Sequence, residues 1–133
     1  PVTGRVISIH AVRAASEALD TLQRFDMPHN STCIFHWFSG TSDELARARA
    51  LGCYFSVNAR MLATKRGREY ARQIPLDKLL LETDAPKELG DPGDAQALAG
   101  ELTQTLDMLD DIRKERKELL AGSISQTSQE LLG

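Results

Sequence analysis

Four short apolar runs rich in β-favouring residues punctuate the chain: Val6-Ile7-Ser8-Ile9, Thr32-Cys33-Ile34-Phe35, Tyr54-Phe55-Ser56-Val57 and Lys78-Leu79-Leu80-Leu81. Their length and continuity predict buried strands. Between them apolar residues recur at helical steps: Ala15, Ala18, Leu19, Leu22 and Phe25 after the first run, and Leu45, Ala48 and Leu51 after the second. Thr41 or Ser42 is placed to cap the second of these helices, and Gly52 to end it. A shorter basic interval, Met61 to Ile74, carries Lys65, Arg66, Arg68 and Arg72 and stops at Pro75. Beyond Pro86, Leu98, Leu102, Leu106, Leu109 and Ile112 predict a long helix, and Ser125 to Leu132 a short final one. Mixed charges from Asp110 to Glu118 read as an exposed helix with i,i+4 pairs.

Strand and helix alternating four times predict an α/β fold, a parallel sheet with helices packed outside it. Lys87 to Asp94, with Gly90, Pro92 and Gly93, is the most loop-like stretch and follows the last strand. In parallel α/β architectures sites are built at that edge.

Length and composition narrow the class. The 133 residues fit one domain of roughly 100–200 residues. With 41% hydrophobic and 26% charged residues, collagen-like, disordered and disulfide-scaffold readings fall away. Sixteen basic residues against 19 acidic give a net charge of -3, so any nucleic-acid contact must be local rather than global. No apolar run approaches the ~20 residues of a membrane span, and no membrane partner is expected. Two cysteines, Cys33 and Cys53, without zinc-ribbon spacing suit a reducing, cytoplasmic setting. The start at Pro1, with neither Met nor signal-peptide pattern, leads us to expect further sequence upstream.

Ionisable or polar residues follow each strand at once: His10, His36, Asn58 and Glu82-Thr83-Asp84. All would collect on one rim of the sheet. Two imidazoles and a carboxylate there form a candidate divalent-metal site with coordination positions left open for water. A bland reading stands beside this one, because a lone His at a strand end is more often a hydrogen-bonded structural residue. Asp84 has its own alternative as a cap before Pro86. His29, in the turn-like Met27-Pro28-His29-Asn30-Ser31, reads as a surface loop residue.

Ile9-His10, His36-Trp37-Phe38-Ser39-Gly40, Tyr54-Phe55-Ser56-Val57-Asn58 with Met61-Leu62, and Leu80-Leu81-Glu82-Thr83-Asp84-Ala85-Pro86 occur in an order and spacing that resembles the TatD family of metal-dependent hydrolases. The resemblance covers almost the whole chain but only the second half of the family's domain. It implies the C-terminal half, about four βα units, of a TIM-type (β/α)8 barrel of the amidohydrolase superfamily. Residues 1–133 would be strands 5 to 8 and the C-terminal helices, with the N-terminal half absent. The activity implied is hydrolysis of phosphodiester bonds in DNA, with two divalent ions (Zn, Mg or Mn). Carried over by motif, His10, His36 and Asp84 match the last three metal ligands, and Asp84 also serves as base; the family's H-x-H and a further Glu have no counterpart here.

A closed barrel takes about 250 residues. Half of one leaves strand edges and apolar surface open, so a partner is expected: the missing half, a second copy or another subunit. The competing reading is a catalytically incomplete scaffold or binding subunit of a larger assembly. Trp37 and Thr41 look closest to TatD-like proteins of bacterial antiphage (Qat-type) gene clusters. Arg13 lies three residues after His10 where relatives often have Arg at two, and Thr127 or Ser128 stands where many have Asn.

Around the rim, Arg13, Lys65 and Arg66, with Arg60 and Arg68, are candidates for holding a phosphate backbone, against the plainer reading of a solvated helix face. Trp37 and Phe38 offer a stacking surface for a base, or rim packing. Asn58 is a further substrate-binding candidate. Glu82 is expected to pack inward or to hydrogen-bond a ligand. Ser39-Gly40 are expected to form the turn into the next helix, with glycine present for backbone freedom.

Overall fold

Strands and helices alternate as the apolar runs predict. A computed structural model describes residues 5–10, 13–26, 31–82, 94–114 and 117–132. Its strands are β1 (Arg5–Ile9), β2 (Ser31–His36), β3 (Tyr54–Val57) and β4 (Leu79–Leu81). Its helices are α1 (Ala15–Arg24), α2 (Ser42–Ala50), α3 (Ala59–Leu62), α4 (Lys65–Gln73), α5 (Asp94–Arg113) and α6 (Lys117–Leu132), with a 3-10 turn at Leu76–Lys78. The strands form one parallel sheet in the order β1-β2-β3-β4.

Alternation along each strand sends successive side chains to opposite faces. One face carries Cys33 and Phe35 of β2, Phe55 and Val57 of β3, and Leu79 of β4 into a core shared with Leu19, Leu45, Met61, Tyr70, Leu109 and Leu120 of the helices. Phe38 stands edge-on to Phe35 and Phe55, with centroids 5.2 and 5.8 Å away. The opposite face carries a smaller cluster of Ile34, Tyr54 and Leu80, closed by Leu131 of α6. On β1 that second face is open, with Val6 48% exposed. Even on the helix side Ile7 and Ile9 are only partly buried, so the expectation of buried strands is corrected for β1.

Helix boundaries follow local chemistry. Thr41 caps α2 in a reciprocal capping box with Glu44, and Gly52 ends the turn after it at φ +81°. Phe25, expected on the buried stripe of α1, is the C-cap residue and is exposed under the Arg24 guanidinium. The interval read as one helix from Met61 to Ile74 is two. Thr64 caps α4 anew by accepting from Gly67 N at 2.9 Å, and a Cβ on Gly67 would lie 1.9 Å from Met61 O, so the second helix starts hard against the first. Ile74 is extended before Pro75, and Arg113 of α5 donates to Ala71 O and Ile74 O, satisfying carbonyls at the end of α4.

The charged stretch Asp110 to Glu118 is not one exposed helix. α5 ends at Arg113, Lys114 takes φ 58°, and α6 begins at Lys117. The final helix is correspondingly longer than expected, because Leu120, Ile124 and Leu131 continue one buried stripe back from Ser125. Thr127 is buried and donates to Ser123 O at 2.9 Å. Gly40 is required for space rather than for freedom: a Cβ there would sit 2.9 Å from Ala15 Cβ and from Phe38 Cζ.

Candidate metal centre

The rim at the C-terminal ends of the strands is polar where the sheet below it is apolar. Register carries β1 and β2 side by side up to Ile9 and Phe35, so the next residues, His10 and His36, emerge level with each other. Their rings stack, with centroids 4.5 Å apart and planes 5° from parallel. His36 is partly buried, and its Nε2 is buried without a hydrogen-bond partner among the described residues. Its other nitrogen is occupied: Nδ1 lies 2.7 Å from Ser56 Oγ, which in turn donates to Glu82 Oε1 at 2.6 Å. Glu82 is 3.6 Å from Nδ1, beyond direct hydrogen-bonding distance.

Main-chain bonds hold this group in place. Trp37 N donates to Ser56 O at 3.1 Å and Glu82 N to Val57 O at 2.9 Å, extending the ladder past the ends of β2 and β4. Trp37 then turns the chain in the left-handed region, at φ 45°. A non-glycine residue there is uncommon and leaves the indole 37% exposed on the rim.

A metal ion needs a nitrogen lone pair, and the buried, unpartnered His36 Nε2 provides one beside a second imidazole. The Nε2 lone pair of His36 fits one coordination position of a divalent ion, whereas the His10 ring lies stacked parallel to it, so the two rings as they stand do not converge on one point. No group of three or more His, Cys, Asp or Glu side chains disposed around a metal occurs among the described residues. Asp84, the expected third ligand, lies outside the described residues, as do His29 and the Lys87–Gly93 part of the loop.

The basic candidates separate. Arg13, at φ 57°, and Arg66 line one cleft of about 250 Å³ with Ser39, Thr41 and Glu44. Lys65 and Arg66 line a neighbouring cleft of about 570 Å³ with Ser42 and Tyr70. Arg68 instead donates to Ala63 O at 3.1 Å, at the end of α3. Asn58 is corrected: its side chain is 2% exposed and accepts from Met61 N at 2.8 Å, so it caps α3 and satisfies an otherwise orphan donor. Ser56 was not a candidate from sequence, because it reads as a member of an apolar run. The signal available was parity, since Ser56 shares its face with His36 in the register of β2 and β3.

Comparison with known proteins agrees with this architecture. The family model described as TatD related DNase matches residues 2–133. "Deoxyribonuclease Tat-D" of Schizosaccharomyces pombe is 36% identical over 80 residues, 59% of this chain and 25% of its own length. The "3'-5' ssDNA/RNA exonuclease TatD" of Pantoea vagans is 40% identical over 63 residues, 45% of this chain and 24% of its own length. Among solved structures, a hydrolase TatD family protein from Entamoeba histolytica superposes with a TM-score of 0.79 at 14% identity, over 95% of this chain and 50% of that one. The chain thus spans about half of that TIM-type structure, as the four βα units expected from the sequence.

Proposed function

This chain belongs to the TatD related DNase family, and from that premise we propose that it supplies one part of the active site of a metal-dependent hydrolase cleaving phosphodiester bonds in DNA or RNA. The observation that carries the reading is the buried, unpartnered Nε2 of His36 stacked beside His10 on the rim. His10 and His36 would hold the metal, with Asp84 as further ligand and as proton acceptor for the attacking water. Two divalent ions, zinc, magnesium or manganese, would supply Lewis acidity toward the phosphoryl oxygens.

The substrate backbone would lie along the clefts bearing Arg13, Lys65 and Arg66. Lys65 and Arg66 occupy the first turn of α4, where the positive end of the helix dipole disfavours cations and no acidic residue offsets them. Contact with phosphate accounts for that placement better than helix stability does. Exposed Trp37 offers a face on which an unpaired base stacks. The open inner face of β1 supports a partner that covers it, either the other half of the barrel or another subunit. A cytoplasmic setting and a role in antiphage defence belong to this proposal as well; no described helix is long and apolar enough to cross a membrane.

The test is metal content and cleavage of end-labelled single-stranded DNA by the protein as its gene encodes it, beside His36→Ala and Asp84→Asn. Metal in the parent, its loss in His36→Ala, and cleavage lowered by about 100-fold or more in both variants are expected. A parent that takes up no metal, or unchanged turnover in Asp84→Asn, overturns the reading.

A further inference from the structure

We propose that Ser56 and Glu82 form a positioning relay that fixes His36 in one tautomer, with the proton on Nδ1 and the lone pair of Nε2 turned to the metal. The inference rests on the reading of His36 as a ligand, and its geometry stands on three side chains from three adjacent strand ends. A carboxylate only accepts, so the Ser56 hydroxyl proton is directed to Glu82 Oε1 at 2.6 Å. With its one proton so placed, Ser56 Oγ can meet His36 Nδ1, 2.7 Å away, only as an acceptor. Nδ1 must then carry the hydrogen, and in a neutral imidazole the other nitrogen is left bare. That other nitrogen is the buried atom without a partner.

Glu82 does not reach His36 directly, at 3.6 Å from Nδ1, so the hydroxyl is the necessary intermediate. Both relay members are held by structure that does not depend on a metal. Ser56 is 3% exposed within β3, and Glu82 is tied by its backbone to Val57 O. A ligating histidine whose second nitrogen is fixed this way has its ring orientation and donor atom set in advance, and loss of such a partner typically weakens metal binding by about 10–100-fold. The relay also explains why a serine interrupts an otherwise apolar strand, and why Glu82 points back over β3. Neither residue contacts the metal in this scheme; they are positioning residues.

The experiment measures two quantities on the metal-free protein, Ser56→Ala, Glu82→Gln, Ser56→Thr and His36→Ala: the ring 15N shifts of His36, and affinity for zinc by competition with a chromophoric chelator. Denaturation midpoints establish that each variant is folded. The parent should show the Nδ1–H form alone. Ser56→Ala should show a tautomer mixture and zinc affinity about 10–100-fold weaker. Ser56→Thr, which keeps the hydroxyl, should restore both, and Glu82→Gln should fall between. An Nε2–H form in the parent, or Ser56→Ala with unchanged shifts and affinity, overturns the relay; should Ser56→Ala not fold, Glu82→Gln decides in the same way. Zinc binding equal in the parent and His36→Ala would overturn the ligand reading, and the tautomer of the metal-free protein still decides the relay.

Discussion

The two faces of the sheet are built from alternate residues of the same strands, yet they differ in composition and in task. On the helix side, Phe35, Phe55, Val57 and Leu79 are apolar from one end of the sheet to the other and fully buried. On the opposite side the character changes along the strand: Ile34, Tyr54 and Leu80 pack below, and His36, Ser56 and Glu82 are hydrogen-bonded above. A period of two thus separates stability from chemistry within six residues of chain. One face can be filled with aliphatic and aromatic groups, and the other keeps room and polar partners for a site.

That contrast makes unequal demands on substitution. Phe55→Ala, which removes an unexposed ring stacked near Phe35 and edge-on to Phe38, should cost about 3–5 kcal/mol. Urea denaturation measures it, and a cost below about 1 kcal/mol would mean that the helix face does not carry the stability. Leu80→Ala, on the other face in the smaller cluster with Ile34, Leu131 and Tyr54, should cost about 2 kcal/mol in the same assay. Equal costs for the two changes would erase the distinction between the faces.

The smallest effect concerns Cys53, on the helix face next to β3. Burial pushes its thiol up from 9.0 to about 12, with neighbouring Cys33 adding to the rise and Lys78 opposing it. The unfolded thiol ionises first as pH rises, so this contribution to stability is fully present below pH 9.0 and is lost as pH climbs toward about 12. The urea midpoint should therefore fall between about pH 8 and about pH 10 by more in the parent than in Cys53→Ala. Identical declines would show that Cys53 is as accessible as in the unfolded chain.

Much of this arrangement was legible in the chain. Tyr54-Phe55-Ser56-Val57 and its three counterparts declared the strands because a buried parallel strand must be short and apolar. Thr41 and Gly52 marked the ends of α2 because helix termini need a side-chain acceptor and a left-handed exit. His10 and His36 stood out by following strands directly. Asn58 stood out equally and was misleading, since a strand-end asparagine serves a helix cap as readily as a substrate. The break at Thr64 was hidden because an apolar and basic spacing continues through it, while the break depends on how closely Gly67 approaches Met61 O.

The sequence alone therefore determined the order of elements, the parallel sheet and the family, since these follow from local periodicity and from motifs contiguous along the chain. Only the tertiary structure decided which nitrogen of His36 is free, because the atoms that decide it, Ser56 Oγ and Glu82 Oε1, lie 20 and 26 residues apart in successive links. A hydrogen-bond relay across three strands is set by register, and register is a property of the assembled sheet rather than of any one segment.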